Sequence, residues 1–291
     1  MRALVLLVTS LFLSGVSAQD YGFDMEWTHD LTPTTISVTR DSVTYPAHRI
    51  AVYEADKGET SAVLKQLLGE RSARIDRSGD RLDVKLVTLE AGGPYNLLCA
   101  MNWDKKRVAT DLDLVVLDEA GSPLEASLSK GICRDLAVQA NKRVVELQLE
   151  EVQSDLDKLN KEFENAGKDQ EKAIERSEDL SEDMERARKK AEKNLKEAEA
   201  LRKDIAKLQT KHNVSKDPKT LAKIADKQKQ LAKIDARQMD LMEDQEKASK
   251  KIDKASDDIP DAADDVDKAM KARDELAAVV SALEAKLAAI H

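Results

Sequence analysis

The chain has 291 residues, 35% of them charged and only 3% aromatic, with a formal charge of −9, a composition that excludes a simple string of ordinary globular domains. A long helical part is implied instead. Past the amino terminus no stretch is apolar for long enough to span a bilayer.

The first stretch, MRALVLLVTSLFLSGVSAQD, carries one Arg, an apolar run of about a dozen residues and the small-residue ending Val16-Ser17-Ala18. This is the pattern of a signal peptide over residues 1–18 with cleavage after Ala18. The reading makes the mature protein exported, periplasmic or extracellular. An uncleaved anchor helix is the alternative, and the run falls short of the roughly 20 residues a span requires. No Cys near the cleavage point marks a lipoprotein.

Residues 19–131 read as a small α+β head, an antiparallel sheet with helices on one face. Alternating apolar residues predict strands in TISVTRDSVTY and RIAVYEA, then SARIDR and RLDVKLVTL across Ser78-Gly79-Asp80, then YNLLCAMNW and RVATDLDLVVL across Asp104-Lys105-Lys106. Between the second and third strands, Val63, Leu64, Leu67 and Leu68 make the apolar face of one helix that Gly69 stops.

Export makes Cys99 and Cys133 a candidate disulfide, Cys99 on the inward face of a strand and Cys133 in a helical stripe with Leu136 and Ala140. Two buried thiols acting as small apolar residues are the other reading. Asp111 and Asp113 point the same way from one strand and resemble a divalent-cation pair. With Leu112, Leu114 and Val116 on the opposite face, they read better as a solvated surface. His29 and His48 lack the spaced partners of a zinc or nucleophile motif, and Gly92-Gly93-Pro94 reads as a turn. No metal or cofactor is expected.

Residues 132–291 read as an antiparallel coiled-coil hairpin. Alternating steps of four and three run from Val145 through Leu149, Val152, Leu156 and Leu159 to Leu208 and His212, and 16 of the 20 positions are apolar. A second seam runs from Leu231 and Ile234 to Leu287 and Ile290, with 15 of 18 positions apolar. Upstream of it Leu221, Ile224 and Gln228 meet that seam with a local stammer. The turn falls at 213–217, with Asp217 as N-cap and Pro218 at the first helical position. The second arm is expected to return to about Arg143, just past the end of the head. Gly167 and Pro260 fall at one height and predict a hinge, while a four-helix bundle reversing at both is the rival arrangement.

Charge divides the hairpin. Residues 186–237 hold 17 Lys and Arg against 7 Asp and Glu, a net of +10, whereas residues 141–185 and 238–291 net −8 and −6. Lys189, Lys190, Lys193, Lys203, Lys207, Lys211, Lys216, Lys219, Lys223, Lys227, Lys229 and Lys233 make a basic tip. Pairs such as Glu192 with Lys196 and Glu199 with Lys203 account for only part of it. An anionic membrane surface or an acidic protein is the expected partner of the tip. Export and the lack of aromatics in the basic segment argue against nucleic acid. Asn213-Val214-Ser215 is a glycosylation sequon, relevant in a eukaryotic secretory pathway.

The succession RIAVYEADKGETSAVLKQLLGE, short strands and a Lys/Glu-rich coiled coil behind a signal peptide resembles a family of exported bacterial proteins with no assigned activity. The hairpin with a basic tip is also similar to the tentacles of the Skp family of periplasmic chaperones. That family builds its head from both ends of the chain, whereas here the head reads as wholly amino-terminal. The expected function is a non-enzymatic exported scaffold, its head binding a protein partner and its rod acting as spacer. A holdase chaperone is the alternative, and an enzyme built on the head is a third. The seam residues Asn194, Gln238 and Gln245 are compatible with a homo-oligomer.

Overall fold

The computed structural model describes residues 21–291, so the expected signal peptide at 1–18 lies outside the described residues. The elements run β1 (Thr34–Arg40), β2 (Val43–Tyr53), α1 (Lys57–Gly69), β3 (Arg74–Ser78), β4 (Arg81–Leu89), β5 (Gly92–Asp104), β6 (Ala109–Leu117), α2 (Ala126–Ser215) and α3 (Pro218–Ala289). An α+β head with an antiparallel sheet is followed by a helical hairpin, as the alternation and the heptads predict. The six strands pair antiparallel in the order β1-β2-β6-β5-β4-β3.

The first two strands divide differently from the sequence expectation. TISVTRDSVTY is not one strand but a hairpin, because Asp41 and Ser42 both turn the chain at positive φ, 48° and 68°. No glycine marks that turn. Asp tolerates the left-handed region through its short polar side chain, so the reversal hides inside a β-like run. Helix α1 begins where Asp56 accepts from Gly58 and Glu59 amides while Glu59 returns a bond to the Asp56 amide at 2.8 Å, a reciprocal capping box. At the start of β5, a Cβ on Gly93 would lie 2.8 Å from the Val87 carbonyl oxygen, so only glycine fits.

The chain forms two compact units, one of Met1–Leu159 with Lys271–His291 and the other of Asn160–Met270. The first unit extends past the expected boundary at 131. Ile132, Cys133, Leu136, Ala137 and Ala140 of α2 share one core with Leu82, Leu97, Met101, Leu112 and Leu114 of the sheet. Leu276 and Leu283 of α3, and Ile290 just past its end, are fully buried in the same core. The head is therefore assembled from both ends of the chain, a correction to the wholly amino-terminal head, and its cause is readable. The last turns of α3 bury Ala272, Val279 and Lys286 in addition to the seam residues, a face wider than a two-stranded seam needs.

The outer face of the sheet carries a second, small core of Ala47, Val115 and Leu117 with Ile36, Val38, Tyr45 and Leu98 packed on it. Beside it Arg40, at the β1–β2 turn, bridges to Asp83 of β4 through two bonds of 2.6 Å. An Arg–carboxylate fork of this kind fixes geometry as well as charge, and it holds the hairpin over the outer face. Asp111 and Asp113 are on this face, yet neither is simply solvated. Arg107 takes both oxygens of Asp111 at 2.7 Å, and Arg49 holds Asp113 at 2.7 and 2.9 Å. Each carboxylate is neutralised by an arginine, an arrangement that serves the sheet rather than a cation.

The second unit is a two-helix hairpin. Its buried positions on α2 follow the expected seam, including Ala191, Ala198 and Ile205. On α3 the distal register differs from expectation: Thr220 and Ile224 are buried while Leu221 is 55% exposed. Lys227 fills the next inward position with its aliphatic stem and carries its ammonium out to Asp204 on α2, 2.8 Å away. Thr220, Ile224, Lys227, Leu231 and Ile234 thus follow the four-three spacing without the stammer. A lysine in a seam position disguised the register.

Candidate functional site

The turn of the hairpin is tighter than the 213–217 expected. Helix α2 continues to Ser215, and Lys216 takes the left-handed conformation at φ 56°. Asp217 then caps α3, its carboxylate accepting from the Lys219 amide and the Thr220 hydroxyl, each at 3.0 Å, with Pro218 as the first helical residue. These bonds, the Lys219 amide first, hold the Asp217 carboxyl below its ordinary range. His212 Nδ1 lies 3.1 Å from the Asp217 carbonyl oxygen and closes the turn from the other side.

Around this turn stand the 17 cations of residues 186–237. Five are in ion pairs: Arg186, Arg188, Lys189, Arg202 and Lys227. The others, ten of the named lysines among them, are exposed and form no ion pair among the described residues. Neither expected pair, Glu192 with Lys196 or Glu199 with Lys203, forms; Glu192 faces Arg188 at 3.8 Å instead. The tip is consequently more basic in effect than i,i+4 bookkeeping suggests.

Gly167 and Pro260 both lie inside unbroken helices. The chain does not reverse at either, which removes the four-helix arrangement within one chain. A Cβ on Gly167 would meet nothing within 4 Å, so no packing inside the hairpin requires glycine there.

In the head, Cys99 and Cys133 are buried and unbonded. Burial pushes both thiols up, Cys133 to about 12, and keeps them as neutral apolar side chains in the core. The disulfide reading gives way to the other one. His48 is buried with no partner for Nδ1, and His29 stacks 3.7 Å from Tyr53 with Trp27 edge-on to both; burial lowers both imidazoles below the ordinary value.

The densest polar arrangement was not foreseen. Lys286 is 1% exposed and donates to Glu54 Oε2 and to the Asp24 carbonyl oxygen, each at 2.6 Å, with the Phe23 ring 5.9 Å away. Glu54 in turn accepts from Gln148 Nε2 at 2.9 Å and from the Asp24 amide at 3.0 Å. Residues 21–33 supply this contact as an extended strap in which Tyr21, Phe23, Met25, Trp27, His29 and Leu31 turn inward while the residues between them are exposed. The signal was present: those six positions alternate strictly, with no second strand next to them to suggest a pairing. The cluster is an enclosed fastening, because the Lys286 ammonium and the Glu54 carboxylate are each committed to partners within it, although Gln148 Oε1 is buried beside them without a partner. Among the described residues no three His, Cys, Asp or Glu side chains gather as a metal set, and no helix is long and apolar enough to cross a membrane.

Comparison with known proteins found no family model, no curated protein and no solved structure that matches this chain.

Proposed function

We propose that the protein is an exported, non-enzymatic scaffold whose head holds a protein partner and whose hairpin docks through its turn on an anionic surface, either phospholipid or lipopolysaccharide or an acidic protein. The observation that carries this reading is the set of exposed, unneutralised lysines on both sides of the turn, from Lys190 to Lys211 and from Lys216 to Lys233. Cations near an anionic membrane contribute about 1 kcal/mol each, and a turn that presents several at once can hold a surface without any pocket. Export is inferred from residues 1–18.

The test is co-sedimentation of the mature full chain with phosphatidylglycerol-containing vesicles and with neutral vesicles. Binding to the anionic vesicles that weakens with salt supports the reading. A variant with Lys207, Lys211, Lys219 and Lys223 all changed to Gln is expected to bind roughly 10³-fold more weakly, at about 1 kcal/mol for each lysine. Equal partitioning of both proteins into both vesicles overturns it.

A further inference from the structure

The two lateral sides of the hairpin differ in charge. Residues that follow a seam residue by one share a side of both helices, since Arg202 and Asp235 occupy that position and meet at 3.1 Å. Residues that precede a seam residue by one share the other side, where Glu197, Ala200 and Asp204 of α2 face Gln230, Lys233 and Arg237 of α3 across one groove. Within 186–237 the preceding side carries nine cations, Lys190, Lys193, Lys207, Lys211, Lys219 and Lys223 among them, against the three acids Glu197, Asp204 and Asp226. The following side carries Arg188 and Arg202 against Glu192, Glu199 and Asp235. Lys189, Lys196, Lys203 and Lys229 lie on the backs of the helices and favour neither side. Among the described residues Arg186 alone of the nine is in an ion pair, and Asp204 is already met by Lys227.

The groove on the basic side encloses about 480 Å³ over an apolar floor of Leu201 and Ile234, with Ala200 beside them. Lys233 and Arg237 stand one helical turn apart on its α3 wall. With Asp204 paired, Glu197 is the one acid facing those two cations. A trough with an apolar floor and a cationic wall fits an anionic amphiphile, which brings a phosphate and a chain together.

The composition of this side distinguishes a lipid surface from an acidic protein. Seven of the nine cations are Lys, and no aromatic residue occurs between 186 and 237. Protein interfaces are enriched in Arg and aromatics and depleted in Lys. The guanidinium fork suits carboxylates held in fixed places, whereas an ammonium is a point charge on a flexible stem, suited to phosphates that move in a fluid layer.

We infer, on the basis of the anionic docking proposed above, that the hairpin lies lengthwise on an anionic phospholipid bilayer through this one side, its groove seating one lipid with the phosphate at Lys233 and Arg237. From Arg186 to Lys211 the contact runs about 38 Å along α2. Charge also sets where it ends. In residues 160–185 and 238–270 the same side carries six cations against nine acids, so the bilayer that attracts the distal half repels this part. Leu195, 49% exposed between Glu192 and Glu199 on the opposite side, faces water.

The test uses the mature full chain with a nitroxide on one introduced cysteine at a time, Lys193→Cys, Leu195→Cys or Asn213→Cys; the native thiols are buried and stay unlabelled. Positions 193 and 195 lie on opposite sides, about 30 Å from the turn. On phosphatidylglycerol-containing vesicles the label at 193 is expected to lose its access to a water-soluble nickel chelate, while the label at 195 keeps it. Lys233→Gln with Arg237→Gln is expected to bind these vesicles about 30-fold more weakly, about fivefold for each charge. A shielded label at 213 with both others open means that the hairpin stands on its turn, which overturns the lengthwise contact and leaves the docking itself in place. A shielded label at 195 with 193 open overturns the choice of side, and undiminished binding by the double variant overturns the lipid seat. Binding to polyglutamate with none to vesicles gives this side to an acidic protein and overturns the lipid assignment alone. Binding to neither overturns the docking as well.

Discussion

Lys286, five residues before His291, and Glu54, directly after the second strand, form a 2.6 Å ion pair with side-chain exposures of 1 and 9%. The pair joins the end of α3 to the sheet, and the backbone of Asp24 completes the shell. A buried pair of this kind is costly to break and cheap to replace.

Lys286→Ala is therefore expected to destabilise the head by about 3 kcal/mol, because Glu54 is left buried without its cation. The double variant Lys286→Met with Glu54→Gln is expected to recover most of that loss. Chemical denaturation of the four proteins of this cycle measures both. Equal losses in the single and double variants would show that packing rather than charge holds the strap.

The imidazoles set a pH dependence. Burial lowers His29 and His48 below their ordinary 6.5, so below that value the unfolded chain binds protons that the folded chain refuses. Stability is expected to be full above pH 6.5 and to decline as pH falls from there toward the folded values. Thermal midpoints across pH 5 to 8 check this, and His48→Gln with His29→Phe is expected to flatten the decline.

The thiols are predicted to be silent. Reaction requires the thiolate, and burial pushes Cys133 to about 12 and Cys99 higher still. Ellman's reagent should report no thiol in the native protein and two after guanidinium is added. Prompt labelling under native conditions would contradict the buried positions.

Lys227 makes a prediction for the distal hairpin. Its stem fills a seam position that an apolar residue would fill better, so Lys227→Leu is expected to raise the stability of the hairpin by about 1 kcal/mol. Asp204→Ala should change little, since an exposed pair contributes only a few tenths. Helix melting by circular dichroism distinguishes the two. A destabilised Lys227→Leu chain would place the seam on Leu221 and Gln228 after all.

Periodicity carried the elements because each element solves one burial problem at a time. The strands of the sheet have one inward face and the helices one seam, so alternation and heptads report them directly. The places where the reading slipped are those where a residue does two things. Lys227 is apolar along its stem and charged at its tip, and it hides a continuous register. Asp41 and Ser42 turn the chain without glycine. Lys286 occupies a core position only because Glu54, 232 residues away, neutralises it, and no local pattern contains that distance. On the hairpin the basic turn was legible from charge alone.

The assembly of the head from both ends of the chain also orders events during synthesis. All six strands are synthesised before residue 118 is added, yet Leu276, Leu283 and Ile290, which complete their core, come last. A nascent chain stopped before residue 271 carries a full sheet with one flank of its apolar face exposed. The 111 residues Asn160–Met270 are thus an insertion whose closure gates maturation of the head. Any factor that guards newly made chains has that interval in which to act.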